Sequence, residues 1–428
     1  IPIFSGTLSL PKSFAICGQK SFRTDAAAWQ FRRANRLSEV RWGRTREFIE
    51  AGVQEFEDKA FDELPGIEQK ALELYKKDMK SSPELDSDGN PVPVNPRYCL
   101  QRILKQYDDM GLRAICASEL EFFLFEPNGA GSPTLYNPNL STVYQIGPGS
   151  DKAGFLQKLQ NTLLDVGIDI LYMNHEFFPS QYEINWMHGE ALKMADDSFT
   201  FKTVCKEMAA LNNLLLTFMG RPTTDGGGSG YHIHLSLNDH ETGKNLFDDP
   251  SGENGISDLA RYFIGGQMAH AKGMSALFAP TINSYKRYVP DSFCPYYMVW
   301  GLDNRSVYCR VPDERGAATR VENRAPCASA NPYLVFAAAF AAGLDGIKNK
   351  IEPGDPFIGD VGFAEPGTLD TVPFYLRDSL AELKADKVLC DAIGPELIQA
   401  FVALKENELD RFRKHVTDWE FNEYSSLL

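Results

Sequence analysis

Apolar residues along the chain recur with two spacings that alternate irregularly. Strand-like runs predict β-strands at residues 114–125, 168–172, 181–186, 231–237, 297–300, 306–311 and 319–324. Apolar residues three or four apart predict helices at residues 96–110, 153–166, 196–217, 259–279 and 331–348, with further helices in 380–419 on either side of Gly394-Pro395. Because strands and helices do not alternate strictly, the pattern favours an α+β fold over repeated βαβ units.

The N-terminal part of the chain has a different pattern. Residues 39–80 are rich in Glu, Lys, Ala and Leu, and their apolar spacing predicts two amphipathic surface helices separated at Pro65-Gly66. Residues 81–96 contain four prolines among turn-forming residues, which is typical of a linker. We therefore predict an N-terminal domain with its linker at 1–94 and a larger domain at 95–428.

Composition narrows the class of protein. The 428 residues carry 43 Lys and Arg against 58 Asp and Glu, a formal net charge of −15, which argues against a nucleic-acid-binding surface. The longest apolar run, 333–344, is shorter than the ~18 residues that cross a bilayer, so we expect no membrane-spanning helix. The eight cysteines form no CxxC pair, which favours reduced thiols and a cytoplasmic enzyme.

Carboxylates interrupt the predicted strands at alternate positions. Glu119 and Glu121 project from one strand face about 6–7 Å apart, and burying two unpaired carboxylates costs several kcal/mol unless cations lie between them. Similar groups recur in three other segments, which contain Glu176 and Glu183, His232 and His234, and Arg320, Glu322 and Arg324. Any one of these patterns is equally typical of an exposed polar strand face. Their combination favours a binding site.

The residue types indicate what such a site binds. Five carboxylates and one imidazole suit Mg²⁺ or Mn²⁺ better than thiolate-binding metals. Five arginines, Arg287, Arg305, Arg310, Arg320 and Arg324, suit anionic oxygens. This combination is typical of phosphoryl transfer from a metal nucleotide. There is no Walker A motif, since the glycine-rich run DGGGSG at 225–230 is followed by YHIH. Either it allows close approach of backbone to a ligand or it is a flexible turn.

Six motifs in order resemble the glutamine synthetase superfamily. They are ELE at 119–121, HEFFPSQYEIN at 175–185, GSGYHIHLSL at 228–237, NSYKRYVP at 283–290, WGLDNRS at 300–306 and RVENRAPCASANPYL at 320–334. The residues within these motifs are most similar to those of the γ-glutamylpolyamine and γ-glutamyl-amine synthetase branch. The resemblance covers about residues 95–347.

The resemblance implies a small β-grasp-like N-terminal domain and a large catalytic domain with a curved antiparallel sheet surrounded by helices. It also implies a homo-oligomer, a dodecamer of two hexameric rings. The acidic loop that the family carries in its first domain is not recognisable in residues 1–80, so that domain is degenerate, replaced or partly absent.

The resemblance further implies two to three Mg²⁺ or Mn²⁺ ions per site, with glutamate, an amine and ATP as substrates. One ion would be held by Glu121, Glu176 and Glu183, and another by Glu119, His232 and Glu322. The glutamate site would comprise Arg287 and Arg324 for the carboxylate and the Gly228 backbone for the amino group. The nucleotide and phosphate site would comprise Arg305, Arg310, Arg320, His234 and Ser236.

Two further positions depart from the ammonia-using members of the family. Phe293 stands where they carry a glutamate that helps to bind and deprotonate ammonium, and Gly227 stands where many carry asparagine. An aromatic residue at position 293 favours a γ-glutamyl-amine synthetase, an ATP-dependent ligase that acts through γ-glutamyl phosphate. The alternatives are a glutamine synthetase with another acid, such as Asp291, serving ammonium, a non-catalytic scaffold, and a guanidino kinase of related fold.

Overall fold

The computed structural model describes residues 89–129, 132–139, 143–145, 147, 149–289, 292–365 and 367–427. Its strands are β1 Leu112–Glu126, β2 Thr134–Leu135, β3 Ile170–His175, β4 Gln181–Trp186, β5 Gly189–Glu190, β6 Leu215–Thr217, β7 Tyr231–Asp239, β8 Trp300–Leu302, β9 Cys309–Val311 and β10 Val321–Asn323. Its α-helices are α1 Pro96–Asp108, α2 Phe155–Asp165, α3 Ala191–Leu211, α4 Asp258–Ala269, α5 Ala271–Phe278, α6 Pro332–Asn349, α7 Leu376–Ala385, α8 Lys387–Ile393, α9 Pro395–Arg413 and α10 Asp418–Tyr424. The helices predicted within 39–80 lie outside the described residues.

The chain divides into two compact units. Among the described residues, the first unit comprises 89–90, Phe122–Met187 and Asp196–Phe218, and the second comprises Pro91–Glu121, His188–Ala195 and the chain from Met219 onward. The predicted boundary between a domain at 1–94 and one at 95–428 stays a prediction.

The second unit contains a sheet in the order β1-β7-β10-β9-β8, with β5 also paired to β1. The β1–β7, β7–β10 and β10–β9 pairs are antiparallel, whereas β8 and β9 are parallel. Strand β7 is buried over its first seven residues. Its apolar and its polar side chains alternate and therefore lie on opposite faces, both of which are covered.

Helix α6 forms the core beneath this sheet. It begins after Asn331, whose side chain caps Leu334 N, and most of its side chains are buried because Ala and Phe residues cover all of its faces. From α4, Gln267 donates to Ala339 O of α6 at 2.6 Å and accepts from Asn323 of β10 at 3.1 Å. Since side chains alternate along a strand, Asn323 faces the helices and the neighbouring Glu322 faces away from them.

In the first unit, β3 and β4 form an antiparallel pair, and the last residues of β1 pair with β2 and β6. The amide of Leu124 in β1 donates to Ser180 O at 3.0 Å, just before β4 begins. Phe122, Trp186 and Phe201 pack with other aromatic residues in its core. The aromatic run of β1 thus supplies much of the apolar surface of this unit.

The α+β prediction is confirmed, and two predicted helices differ from the observed ones in their bounds. The helix predicted at 196–217 ends at Leu211, because Asn213 adopts a left-handed backbone with φ of 54°, and Leu215–Thr217 forms a strand instead. The helix predicted at 259–279 is two helices separated at His270. Among the described residues, no helix combines the length and apolar character needed to cross a bilayer.

Candidate active site

The β1–β7 pairing brings two imidazoles to one carboxylate. Glu119 lies opposite His232, and Nδ1 of His232 is 3.2 Å from Oε2 of Glu119. Two residues further along β7, Nε2 of His234 is 2.8 Å from Oε1 of the same carboxylate. A strand repeats every two residues, so both imidazoles lie on the face that Glu119 occupies.

Glu322 lies next to this group on β10. Its side chain is 1% exposed, and each of its oxygens accepts from an arginine. Arg310 Nη1 donates to Oε2 at 2.7 Å, and Arg324 Nη1 donates to Oε1. Nδ1 of His232 lies 3.9 Å from Oε1. The two guanidinium groups therefore compensate a buried charge that would be costly if unpaired.

Both carboxylates are ionised at neutral pH. Burial raises the pKa of Glu322, but Arg324 and the other positive groups outweigh it and lower this pKa from 4.5 to about 2. Burial also raises the pKa of Glu119, and here the imidazoles of His234 and His232 hold the pKa well below its usual range. The pair thus offers anionic oxygens to a cation without a prior proton loss.

His234 connects Arg320 to Glu119 in a defined tautomer. Arg320 Nε always carries a hydrogen, and it donates to Nδ1 of His234 at 3.1 Å. The ring proton of His234 is therefore on Nε2, where it is donated to Glu119. Arg320 Nη1 also donates to Ala318 O at 3.0 Å, which orients the guanidinium.

Gly230 brings Glu121 close to His232. The Gly230 amide donates to Oε2 of Glu121 at 2.9 Å. A Cβ at position 230 would lie 2.8 Å from Nε2 of His232 and 3.2 Å from Oε1 of Glu121. Since real Cβ atoms rarely approach other atoms so closely, a side chain at position 230 would displace the His232 ring or the Glu121 carboxylate.

Arg287 is a buried cation in contact with the glycine-rich segment. It is 2% exposed, and a Cβ on Gly228 would lie 2.6 Å from its Cγ. Its Nη1 donates to Ala325 O at 3.2 Å, whereas its buried Nε has no hydrogen-bond partner among the described residues. A buried donor without a partner costs free energy, so this guanidinium is suited to an anionic ligand.

Glu176 and Glu183 belong to the first unit, at the β3–β4 pair. Glu176 follows β3, and its amide donates to Gln181 O at 2.8 Å. Glu183 is buried on β4, opposite Asn174 of β3, and it accepts from Asn185 Nδ2 at 2.8 Å. Asn185 lies two residues along the same strand, which places it on the same face as Glu183.

Two further predicted site residues are Ser236 and Arg305. Ser236 is buried on β7, on the face that carries His234. The side chain of Arg305 is exposed, while its carbonyl accepts from Nε of Arg324 at 3.1 Å. Together with the bond from Nη1 to Glu322, this contact orients the Arg324 guanidinium.

Phe293 is exposed in a strained backbone conformation. Its side chain is 66% exposed and its φ is 57°, in the left-handed region that bulky residues rarely adopt. The preceding Ser292 donates from Oγ to Arg287 O at 2.6 Å, which attaches this segment to the buried arginine.

The donor set fits a divalent cation. Glu119, His234 and Glu322 each bring one nitrogen or oxygen atom within 4.8 Å of the others, although in the tautomer described above both nitrogens of His234 are already hydrogen-bonded. Nδ1 of His232 lies between oxygens of the same two carboxylates. Ionised carboxylates with an imidazole are ligands that Mg²⁺ and Mn²⁺ accept.

Two residues of this region were not singled out from the sequence. Asp303 accepts from Arg310 through both Nε, at 3.1 Å, and Nη2. Asn185 donates to Glu183. Both lie within motifs already quoted, WGLDNRS and HEFFPSQYEIN, and this is the sequence feature that could have identified them as site residues. Their contacts depend on the positions of neighbouring strands and turns.

Comparison with known proteins matches most of the chain to one family. The family model "Glutamine synthetase, catalytic domain" matches residues 93–424. Glutamine synthetase of Thermotoga maritima is 38% identical over 345 residues, covering 79% of this chain and 78% of the relative. Glutamine synthetase of Pyrococcus abyssi is 34% identical over 415 residues, covering 90% of this chain and 92% of the relative.

Solved structures give the same match. A complex of GmaS with ADP superimposes with a TM-score of 0.72 at 32% identity, over 79% of each chain. GmaS without ligand superimposes with a TM-score of 0.71 at 32% identity, over 79% of this chain and 78% of that chain. The predicted catalytic-domain fold is thereby confirmed.

Proposed function

The chain belongs to the glutamine synthetase family of ATP-hydrolysing carbon–nitrogen ligases, and we propose that it joins the γ-carboxylate of glutamate to an amine larger than ammonia. The proposed preference for a larger amine rests on Phe293. A small, strongly hydrated ammonium ion needs polar acceptors to offset its desolvation, and an aromatic ring offers only apolar area and a π face. The exposure of this ring speaks against a role in core packing.

We assign two to three Mg²⁺ or Mn²⁺ ions to the site, since glutamine synthetases use ATP and divalent metal ions. Glu119, His232 and Glu322 would hold one ion, an assignment supported by the short distances between their ligand atoms. The family resemblance alone assigns another ion to Glu121, Glu176 and Glu183. When bound, these ions supply positive charge that neutralises phosphate oxygens.

The arginines would bind the anionic parts of the substrates. Arg287 and Arg324, with the Gly228 backbone, would bind glutamate, supported by the Nε of Arg287, which has no hydrogen-bond partner within the part of the chain that the structure describes. Phosphate oxygens would be bound by Arg305, Arg310 and Arg320, and the nucleotide would be contacted by His234, Ser236 and Arg320.

The reaction that these groups would support has two transfers. An oxygen of the glutamate γ-carboxylate attacks the γ-phosphorus of ATP, the bond to the β-phosphate oxygen breaks, and ADP leaves. The amine nitrogen then attacks the acyl carbon, the bond to the phosphate-bearing oxygen breaks, and the nitrogen loses a proton. Arginine side chains in a partly buried site stabilise the charge that develops on the transferred phosphoryl group.

Ammonia-dependent glutamine synthetase is the second candidate. It is favoured by the names of the relatives from Thermotoga maritima and Pyrococcus abyssi. The two candidates share the metal and arginine sites and differ only in the nucleophile.

An amine panel separates the two candidates. ADP release would be measured with glutamate and Mg²⁺ for ammonia, methylamine, isopropylamine, aniline, putrescine and spermine. We expect kcat/KM for the best amine to exceed that for ammonia by at least ~10-fold, about 1.4 kcal/mol of discrimination. Phe293→Glu should reverse this preference, because a carboxylate favours ammonium.

Phe363→Glu is the matched control, since Phe363 is 90% exposed and belongs to none of the motifs that contain the proposed site residues. It should leave the amine preference unchanged. If ammonia is the best wild-type substrate by a wide margin, the chain is a glutamine synthetase with an unusual loop.

We also propose a cytoplasmic homo-oligomer, a dodecamer of two hexameric rings, on the family resemblance alone. Light scattering under assay conditions measures the mass directly. A monomer that is fully active would contradict the proposed assembly.

A further inference from the structure

Asp303 lies in the turn between β8 and β9, close to Glu322 in space though distant in sequence. Its φ of 43° is in the left-handed region, which Asp and Asn tolerate better than most residues. Its amide donates to Val311 O at 2.8 Å, so the turn folds back along β9. The side chain is thereby aimed at Arg310, one residue before Val311.

The Arg310 guanidinium is shared between two carboxylates of different character. Nε and Nη2 donate to Oδ1 of Asp303, and Nη1 donates to Oε2 of Glu322. The Asp303 side chain is 45% exposed, whereas that of Glu322 is 1% exposed. Arg310 thus has one partner at the surface and one in the interior.

This sharing matters for the use of Glu322 as a ligand. Arg310 takes one Glu322 oxygen and Arg324 takes the other. A cation that binds Glu322 must therefore compete with a guanidinium. An arginine that keeps a second anionic partner loses less favourable interaction energy when a cation displaces it from Glu322.

We propose that Asp303 is a positioning residue for Arg310, holding the guanidinium so that Glu322 can bind a divalent cation while Arg310 stays directed at the reacting phosphate. The inference rests on the proposed metal and phosphate roles of Glu322 and Arg310. Without Asp303, Arg310 pairs with Glu322 alone and competes more strongly with the cation.

The test is Mn²⁺ binding by calorimetry to the full chain without nucleotide. Asp303→Asn keeps a residue suited to the left-handed backbone and removes the charge. We expect its Mn²⁺ affinity to fall roughly 10-fold, as for other groups that orient a metal ligand. Arg310→Gln should bind Mn²⁺ more tightly than the wild type, because a competitor of the cation is gone.

A double-mutant cycle distinguishes positioning from a general charge effect. In the Arg310→Gln background, Asp303→Asn should have no further effect on Mn²⁺ affinity. The matched control is Asp410→Asn, since Asp410 is 43% exposed and pairs with Arg413 and Lys414 at the C-terminal end of α9. This control should bind Mn²⁺ like the wild type.

Kinetics supply a second readout. Asp303→Asn should lower kcat by roughly 10-fold and leave KM for glutamate unchanged, because Arg310 faces the phosphate. Unaltered Mn²⁺ affinity in Asp303→Asn overturns the positioning role. A loss of Mn²⁺ affinity that Asp303→Asn still causes in the Arg310→Gln background overturns it as well. A wild-type chain that binds no Mn²⁺ overturns the proposed metal site itself.

Discussion

Glu322→Gln removes one negative charge while keeping the size of the side chain. In the metal-free protein, Arg310 and Arg324 then face a neutral amide in place of the buried carboxylate that they neutralise. The two guanidinium groups would then lack their anionic partner in the interior, so we expect the substitution to lower the stability of the fold.

The magnitude follows from the pKa of Glu322. A fall from 4.5 to about 2 corresponds to roughly 3 kcal/mol of stabilisation of the folded protein at neutral pH. Breaking a buried ion pair costs a similar amount, about 3–5 kcal/mol. With an unfolding entropy of roughly 0.7 kcal/mol/K for a domain the size of residues 93–424, the melting temperature should fall by about 4 °C.

The assay is thermal unfolding with chelator at pH 7 and at lower pH. Because the folded pKa is depressed, the stabilisation is present above about pH 4.5 and is lost as pH falls towards about 2, so the difference between wild type and variant should shrink across that window. Added Mn²⁺ should raise the melting temperature of the wild type more than that of the variant.

Glu314→Gln is the control, because Glu314 is 61% exposed and pairs with Arg320 at 3.3 Å. It should cost less than ~1 kcal/mol. A Glu322→Gln shift no larger than that of Glu314→Gln would refute the conclusion that the two arginines depend on this carboxylate.

Two other substitutions test the packing around these groups. Gly230→Ala should lower kcat/KM by roughly 100-fold in the ADP-release assay, because its Cβ would displace His232 or Glu121, whereas Gly362→Ala should be neutral. His270→Gln removes an imidazole that hydrogen-bonds Asp386 at 2.7 Å and Asp345 at 3.2 Å. Burial lowers the pKa of His270, but the two carboxylates outweigh burial and raise this pKa above 6.5. The variant should therefore lose about 2 kcal/mol in urea unfolding at pH 6 and progressively less as pH rises through the folded pKa, and an equal loss at pH 6 and 9 would contradict this.

Local sequence signals determined most elements of the catalytic region. Strand β4 begins and ends at the predicted residues, and helices α1 and α6 begin after Asn95 and Asn331, each of which caps the first turn before a proline. These features depend on residues within one turn or one strand, which the sequence displays directly. The break at His270 involves tertiary contacts with Asp345 and Asp386, and the spacing of apolar residues did not reveal it.

The alternation of polar residues also determined which side chains share a strand face, but not which strands are neighbours. Only the register of β1, β7 and β10 decided that Glu119 faces His232 and that Glu322 faces His234. The Arg310 and Arg324 contacts that neutralise Glu322, and the turn that brings Asp303 to Arg310, likewise arose from tertiary structure. The physical reason is that burial and ion pairing depend on distances between residues far apart in the chain, which a one-dimensional pattern of polarity does not contain.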